Sequence, residues 1–363
     1  MLNILFDWFD NIQQFFIRLI KLYHVQNLKD KGIIWSVGLL IVTLFIIWLI
    51  LGFLWSREPA LFNVRTQTQL IIDELNDKTA KQYKPVVGAT TTATVINVSK
   101  MLLNKPGGYL SNDVSPPGIF LDNIPNWEHG VLVQIRDIAR VLRNDFGMAQ
   151  STSTEDQDLS LAEPSFNNDS KKWLWPASES KYQEGIDYLY GYLERLINEE
   201  KQHAQFFARA DNLVDWLQVV EKRLGSLSQR LSASVGQERI NIDLAGDAQA
   251  QQATYSSDKL TVKTSWFEID DVFYEARGTA WALVHLLHAI EQDFSPVLKK
   301  KNALLSVKQI IRELEATQVT IWSPIILNGS GFGMTANHSL VMASYISRAN
   351  AAIIDLKRLL QDG

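Results

Sequence analysis

The sequence predicts a mainly α-helical protein with one N-terminal helix that crosses a membrane. Residues 32–56 hold no charged side chain, and apolar residues recur at three- and four-residue steps over much of the remaining chain. Alternating or β-branched stretches are short and fall within residues 236–269. They predict a small β-hairpin that protrudes from a helical body.

The uncharged run 32–56 is bounded by Lys31 and Arg57. As a helix, its 25 residues would extend about 37 Å, which exceeds the ~30 Å hydrocarbon core of a bilayer. Trp35 and Trp55 lie near its ends, where amphipathic aromatic side chains favour the membrane interface. The run is too long for a cleavable signal peptide and lacks a small-residue cleavage site, so it predicts a transmembrane helix.

The basic residues that flank the span predict its orientation. The basic residues that closely precede it are Arg18, Lys21, Lys29 and Lys31, and those that closely follow it are Arg57 and Arg65. The positive-inside rule then places residues 1–31 in the cytoplasm and residues 57–363 across the membrane. In a bacterium, the chain would be a single-pass inner-membrane protein with a periplasmic C-terminal domain.

Residues 1–31 form an amphipathic pattern ahead of the span. Their polar residues recur at steps of three or four along one narrow helix face: Asn3, Asp7, Asp10, Gln14, Arg18 and Lys21. The apolar remainder would either lie in the cytoplasmic headgroup layer, dock on a membrane partner, or simply position the span. All three alternatives bury the same face.

Residues 57–363 read as a helical domain with irregular segments near 104–126, 147–177 and 322–335. Residues 178–234 show a four-three apolar rhythm like that of a coiled coil. They form either one long helix or two helices packed as a hairpin. A cap signal at Asp211 favours the broken form.

The stretch "GGYLSNDVSPPGIFLDNIPNWEHG", residues 107–130, carries too many apolar residues for a solvated linker. It predicts an ordered loop packed across the helical body, with glycine and proline residues at its turns. Asn126 is expected to cap a helix over about 127–146, with Trp127 and Glu128 in its first turn.

Composition excludes several kinds of chemistry. The chain has no cysteine, which excludes disulfides, cysteine–zinc sites and a thiol nucleophile. A net charge of −5 argues against general nucleic-acid binding. The sequence also lacks a phosphate-binding loop, a dinucleotide fingerprint, a G-x-S-x-G elbow and an H-E-x-x-H motif, so no cofactor is predicted.

The candidate catalytic residues are Asp122, Glu128 and His129, which surround the predicted helix start. Carboxylates and a histidine at this point would either serve acid–base chemistry or cap the helix and hold the loop, and the second interpretation is favoured. Glu163 and Asp169 are further candidates for ligand binding.

Arg277 lies beside Glu275 in "FYEARGTAW", between aromatic residues. It would either form a structural ion pair or receive a carboxylate or phosphate from a partner.

Two histidine patterns have spacings that a metal site could use. His285 and His288 share a helix face and could bind a metal with a distant carboxylate, or be ordinary partly buried histidines. Glu200 and His203 form a single E-x-x-H, whereas di-iron bundles use two such pairs. The prediction is therefore that the chain has no metal site.

Several motifs occur in a distinctive order: "GGYLSND", "LDNIPNWEHG", "DIARVLRNDFG", "STSTEDQDLSLAEPSFNNDS" and "WLWPASESKYQEGIDYLYGYLERL". In this order the chain resembles a family of uncharacterised proteobacterial inner-membrane proteins, which is defined only as a domain of unknown function. The resemblance covers most of the chain after the span. It implies a single-pass inner-membrane protein of a Gram-negative bacterium and carries over no catalytic residue.

The anchor, the long helical region and the absence of a catalytic motif favour a non-enzymatic scaffold, assembly or interaction protein of the cell envelope. Its expected partners are membrane lipids and envelope proteins, or a second copy of the chain, and not nucleic acid. The alternative is a membrane-tethered envelope hydrolase or ligand-binding enzyme that uses carboxylates of residues 107–169. That alternative requires these carboxylates to converge on one water-accessible pocket.

Overall fold

The computed structural model describes residues 14, 21–149, 154–198, 204–240, 259–330 and 332–362. The chain divides into two compact units, residues 1–54 and residues 55–363. Most of the predicted amphipathic segment, residues 1–13 and 15–20, lies outside the described residues.

The first unit contains helix α1 (Val25–Lys31) and nearly all of helix α2 (Ile33–Trp55). Helix α2 has 23 residues and is about 35 Å long. The hydroxyl groups of Ser36 and Thr43 each donate to the carbonyl oxygen four residues earlier, at 3.0 and 2.8 Å, so these polar groups are satisfied within the helix. Among the described residues, α2 is the one helix long and apolar enough to cross a membrane.

The second unit is a helical body, which confirms the predicted fold class. Its described helices are α3 (Val64–Thr79), α4 (Ala89–Asn104), α5 (Asn123–Val141), α6 (Gln157–Phe166), α7 (Ser178–Ile197), α8 (Ala210–Ser232), α9 (Ile269–Asp293), α10 (Ser295–Lys300), α11 (Leu304–Ala316) and α12 (His338–Asp362). A small antiparallel sheet joins β1 (Gln237–Ile240) to β2 (Lys259–Val262), as predicted.

Helices α5 and α9 form the centre of the body. They run in the same direction, because the Asn126 amide donates to Asp271 at 2.6 Å at their N-terminal ends. Beyond their C-terminal ends, the rings of Phe146 and Phe294 lie 5.2 Å apart. The helices approach closely at Gly278, where a Cβ atom would collide with the backbone carbonyl of Trp127.

The other helices cover this pair on two sides. On one side, α8 runs antiparallel to α5 and is itself covered by α12, with α11 between α12 and α9. Ion pairs between Arg223 and Asp137 and between Lys357 and Glu221 fix the first two contacts, at 2.8 and 2.7 Å. On the other side, α4 packs on α9 and α7, and α6 packs along α7.

The structure refines three boundaries that the sequence predicted. The predicted break within 178–234 is present between α7 and α8, but α7 packs mainly on α6 and α4 whereas α8 packs mainly on α12. The segment 147–177 was expected to be irregular throughout and instead contains α6, because the Asp156 side chain caps the amides of Asp158 and Leu159. Helix α5 begins at Asn123 rather than near 127.

The close approach of α5 and α9 predicts the effect of a single methyl group. Gly278→Ala should lower the free energy of unfolding by about 2–3 kcal/mol, because the added Cβ meets backbone that cannot move without separating the two helices. Chemical unfolding in detergent, followed by tryptophan fluorescence, measures this change.

Gly225→Ala is the matched control. Its added Cβ would lie at an ordinary 3.7 Å from the Asn350 side chain, and an alanine stabilises an open helix position by about 0.5–1 kcal/mol. Equal stability of the two variants would show that the α5–α9 contact is looser than described.

Candidate functional site

A buried ion pair holds the start of the loop over residues 105–122. Lys105 and Glu128 pair with each other, and neither side chain has any exposed surface. The Glu128 carboxylate also accepts the backbone amides of Leu110 and Ser111, both at 2.8 Å, and the Ser111 hydroxyl. The Lys105 ammonium donates in addition to the Gly108 carbonyl. Glu128 is therefore the point to which the loop is tied.

Burial raises the pKa of the Glu128 carboxyl, and the adjacent Lys105 ammonium acts in the opposite direction. The carboxylate has no exposed surface, and its oxygens are bonded to Lys105 and to the backbone amides of Leu110 and Ser111. Glu128, which is a candidate catalytic residue in the sequence, thus has a structural role in the fold.

Asp122 and His129 do not join Glu128. Asp122 is exposed and its carboxylate accepts the Asn123 amide at 2.9 Å, so it caps α5 in place of the predicted Asn126. Asn126 instead donates through its side chain to the Asp122 carbonyl and to Asp271. His129 is exposed on the surface of α5, whereas Glu128 points into the body. The three candidates face different directions.

Glu163 and Asp169 are each engaged locally. Glu163 on α6 accepts from Arg143 at 2.6 Å, and Arg143 also binds Glu155 at 2.7 Å. The Asp169 carboxylate accepts the Lys171 amide at 2.9 Å within the turn that precedes α7. These carboxylates stabilise α6 and its flanking turns. They do not converge with Asp122 and Glu128 on one site, as the carboxylates of a hydrolase would.

His285 is buried and uses both ring nitrogens within the fold. Nε2 accepts the Phe62 amide at 3.0 Å, and Nδ1 donates to the Trp281 carbonyl at 2.7 Å. Burial lowers the pKa of His285 to about 4, which keeps the ring neutral at physiological pH. The ring therefore has no nitrogen left for a metal.

His288 lies one turn away and is more exposed. Its nitrogens are 3.7 Å from Glu291 and 3.5 Å from Glu315. Within the described residues, no group of three or more His, Asp or Glu side chains has the arrangement of a metal site. Glu200 and His203 lie outside that part of the chain.

Arg277 receives a carboxylate, as the sequence suggested, but from its own chain. Its guanidinium donates to both oxygens of Glu58, at 2.6–2.9 Å. A second amino group donates to the carbonyls of Thr317 and Val319, at 2.8 and 2.9 Å. Its sequence neighbour Glu275 pairs with Arg230 instead. Each guanidinium nitrogen of Arg277 thus donates to a partner within the body, and no side of the group is left for a ligand.

Together these contacts fasten residues 55–63, the segment that runs from the last residue of α2 to the start of α3, which we call the connector. Glu58 is held by Arg277, and the Phe62 ring stacks on His285 with 3.8 Å between ring centroids. The Asn63 side chain then caps α3 through the Thr66 amide at 3.0 Å. The sequence indicated Arg277 and His285 as unusual residues on an apolar helix, but not that both would bind a segment more than 200 residues earlier.

An apolar cleft of about 360 Å³ lies beside this clamp. Its lining includes Phe273, Trp322 and Tyr345 together with Arg277 and His338. The last two are already bonded: His338 Nδ1 accepts the Leu327 amide at 3.1 Å, and Arg277 holds Glu58. The cleft therefore presents apolar surface with its basic groups occupied.

The fold is thus a helical body attached to one apolar N-terminal helix. The sequence matches the profile of the bacterial family DUF2333, described as "Uncharacterized protein conserved in bacteria", over residues 28–363, and the chain belongs to this family. Searches of curated proteins and of solved structures returned no match to the chain.

The assignment of Glu128 as a loop anchor predicts a large loss of stability on its substitution. Glu128→Gln should lower the free energy of unfolding by about 3–5 kcal/mol, because it leaves the buried Lys105 ammonium without its counter-charge. The loop at 105–122 should also become susceptible to limited proteolysis in the full chain.

Glu155→Gln is the control, since its ion pair with Arg143 is more exposed and should change stability by no more than about 1 kcal/mol. A Glu128→Gln variant as stable as the wild type, with its loop still protected, would contradict the anchor and revive a catalytic role.

Proposed function

We propose that the chain is a single-pass inner-membrane protein whose helical body, residues 57–363, serves in the periplasm as a scaffold, assembly or interaction factor of the cell envelope. This proposal rests on what the side chains of the candidate residues do within the fold. Glu128, Arg277 and His285 are all committed to holding the chain's own backbone or connector. Because these side chains are bonded within the fold, they stabilise the body and are not available for catalysis.

The connector supports a role at the membrane. Glu58, the first clamped residue, follows the end of α2 at Trp55 by three residues, which is at most about 10 Å of extended chain. The folded body therefore begins almost directly after the apolar helix in the sequence, which supports a role at the membrane.

The orientation is supported by the basic residues before the span, which favour a cytoplasmic N-terminus. The partner is proposed to be another envelope protein or a second copy of the chain, bound to the surface of the helical body.

Complementation with matched variants tests this function. In a strain that lacks the gene and shows an envelope defect, Asp122→Asn and His129→Gln should restore growth as well as the wild type, because both residues are exposed and a scaffold needs neither for chemistry. A flexible Gly/Ser insertion after Arg57 should fail to restore growth, although the protein is present at normal levels.

The opposite pattern, failure of Asp122→Asn or His129→Gln with rescue by the insertion, would overturn the scaffold proposal in favour of an enzyme. A reporter fused after residue 363 tests orientation separately: alkaline phosphatase should be active there. A phosphatase that is inactive beside a fluorescent cytoplasmic reporter would reverse the orientation.

A further inference from the structure

Several loops of the body meet at one end, which we call the connector end. Helices α5 and α9 both begin there, joined by Asn126 and Asp271. Helix α8 ends there, because Arg230 near its C-terminus pairs with Glu275 near the start of α9. Helix α11 also ends there, beside the clamp at Arg277.

The remaining loops are joined to the same end by hydrogen bonds. The Asn112 side chain donates to the Lys172 carbonyl and to Glu179, at 3.0 and 2.7 Å, so the loop before α7 lies against the 105–122 loop. The Trp55 ring, where the connector begins, lies against Gly107 of that loop. Trp55, the first residue of the connector, therefore packs among these loops.

Exposed aromatic side chains are concentrated on the connector end. They come from four separate segments: Phe120, Trp173, Trp175, Trp266, Phe267, Trp322 and Phe332. Trp175, Phe267 and Trp322 are 87%, 84% and 92% exposed, so these rings project almost entirely into their surroundings. Soluble surfaces seldom carry so many exposed aromatic rings together, and such clusters indicate contact with a partner or a membrane.

At the opposite end of the body, aromatic residues pack into the interior. Phe146 and Phe294 are fully buried there and pack with Phe206, at ring separations of 5.2–5.9 Å. The last turn of α10 at this end presents Lys299 and Lys300 to the surroundings. Exposure of aromatic rings is therefore a property of the end at which α2 joins the body.

A bilayer surface is the partner that fits this arrangement. Tryptophan side chains on short, separate loops suit the headgroup layer, where the ring buries its apolar part and keeps its N–H hydrated, and phenylalanine rings add apolar surface that inserts beside them. Glu58, which is clamped to the body at this end, follows Trp55 at the end of α2 by only three residues, so the connector end is the part of the body joined directly to the apolar helix. Contact with the membrane is then an intramolecular event that needs little intrinsic affinity.

We infer that the connector end of the body is a lipid-contact surface, which inserts its aromatic loops into the headgroup layer of the leaflet into which α2 emerges. The inference rests on the proposed role as a membrane-anchored protein and adds the lipid surface as a second, non-covalent attachment. It also leaves the opposite end of the body free to bind envelope partners.

The charges at this end indicate what kind of lipid contact forms. Lys171 and Lys172 precede Trp173, whereas Asp122, Glu268 and Asp270 stand near the other aromatic loops. Because the acidic groups named here outnumber the basic ones, attraction to anionic lipid does not carry the contact, and insertion of the rings does. Zwitterionic and anionic bilayers should therefore give similar results, with little dependence on salt.

The cysteine-free chain allows a direct test on the full-length protein. Single variants Trp175→Cys, Phe267→Cys and Trp322→Cys are labelled with an environment-sensitive fluorophore and placed in phosphatidylcholine nanodiscs. Val87→Cys is the matched control, because Val87 is an exposed apolar residue at the opposite end, next to Gly88 and its contact with Phe206.

Quenching by nitroxide-labelled lipid should be at least about three-fold stronger for the three test labels than for the control, while quenching by aqueous iodide should be correspondingly weaker. Labels as accessible to iodide as the control label would overturn the inference. Protection in native membranes but not in pure-lipid nanodiscs would also overturn it, and would assign the surface to a protein partner.

A failure of the lipid contact can be distinguished from a failure of the proposed function. Exposed labels together with an active phosphatase fusion would remove the lipid contact and leave the envelope scaffold intact. Lipid-protected labels together with failed complementation by Asp122→Asn would keep the lipid contact and remove the scaffold.

Discussion

The bidentate pair between Arg277 and Glu58 is the interaction that fastens the connector to the rest of the body. It is almost completely buried, with side-chain exposures of 7% and 16%, and it joins the central helix α9 to the connector. Arg277 also holds two carbonyls beyond the end of α11, so one guanidinium organises three segments. A charge this deep is tolerated because each of its three nitrogens donates to a partner within the body, which makes the geometry specific.

The same principle explains why the body holds its long loop in order. Glu128 and Lys105 neutralise each other in the interior, and two loop amides complete the coordination of the carboxylate. His285 repeats the pattern with a neutral group, accepting from the connector and donating to its own helix. Buried polar groups in this protein serve to fix irregular backbone against regular helices, which accounts for their failure to form a reactive cluster.

Much of the fold follows from the sequence because helical periodicity and breakers are local signals. The apolar span, the break before α8 and the short strand pair are of this kind. Helix α6 was missed because its ten residues lie among Ser, Asp and Asn, and its Asp156 cap reads as part of a loop. At the candidate site, the sequence identified Glu128, Arg277 and His285 as unusual, but their partners Lys105, Glu58 and Phe62 are set by tertiary packing that no spacing encodes.

The central claim is that the connector is part of the folded body. Hydrogen–deuterium exchange of the full chain in nanodiscs measures this most directly, because the Phe62 amide donates to the buried His285. The account predicts that amides of residues 58–63 exchange slowly, with Phe62 protected to a degree similar to the middle of α9, and that Arg277→Ala accelerates them. Exchange of this segment at the rate of an unstructured peptide in the wild-type protein would contradict it.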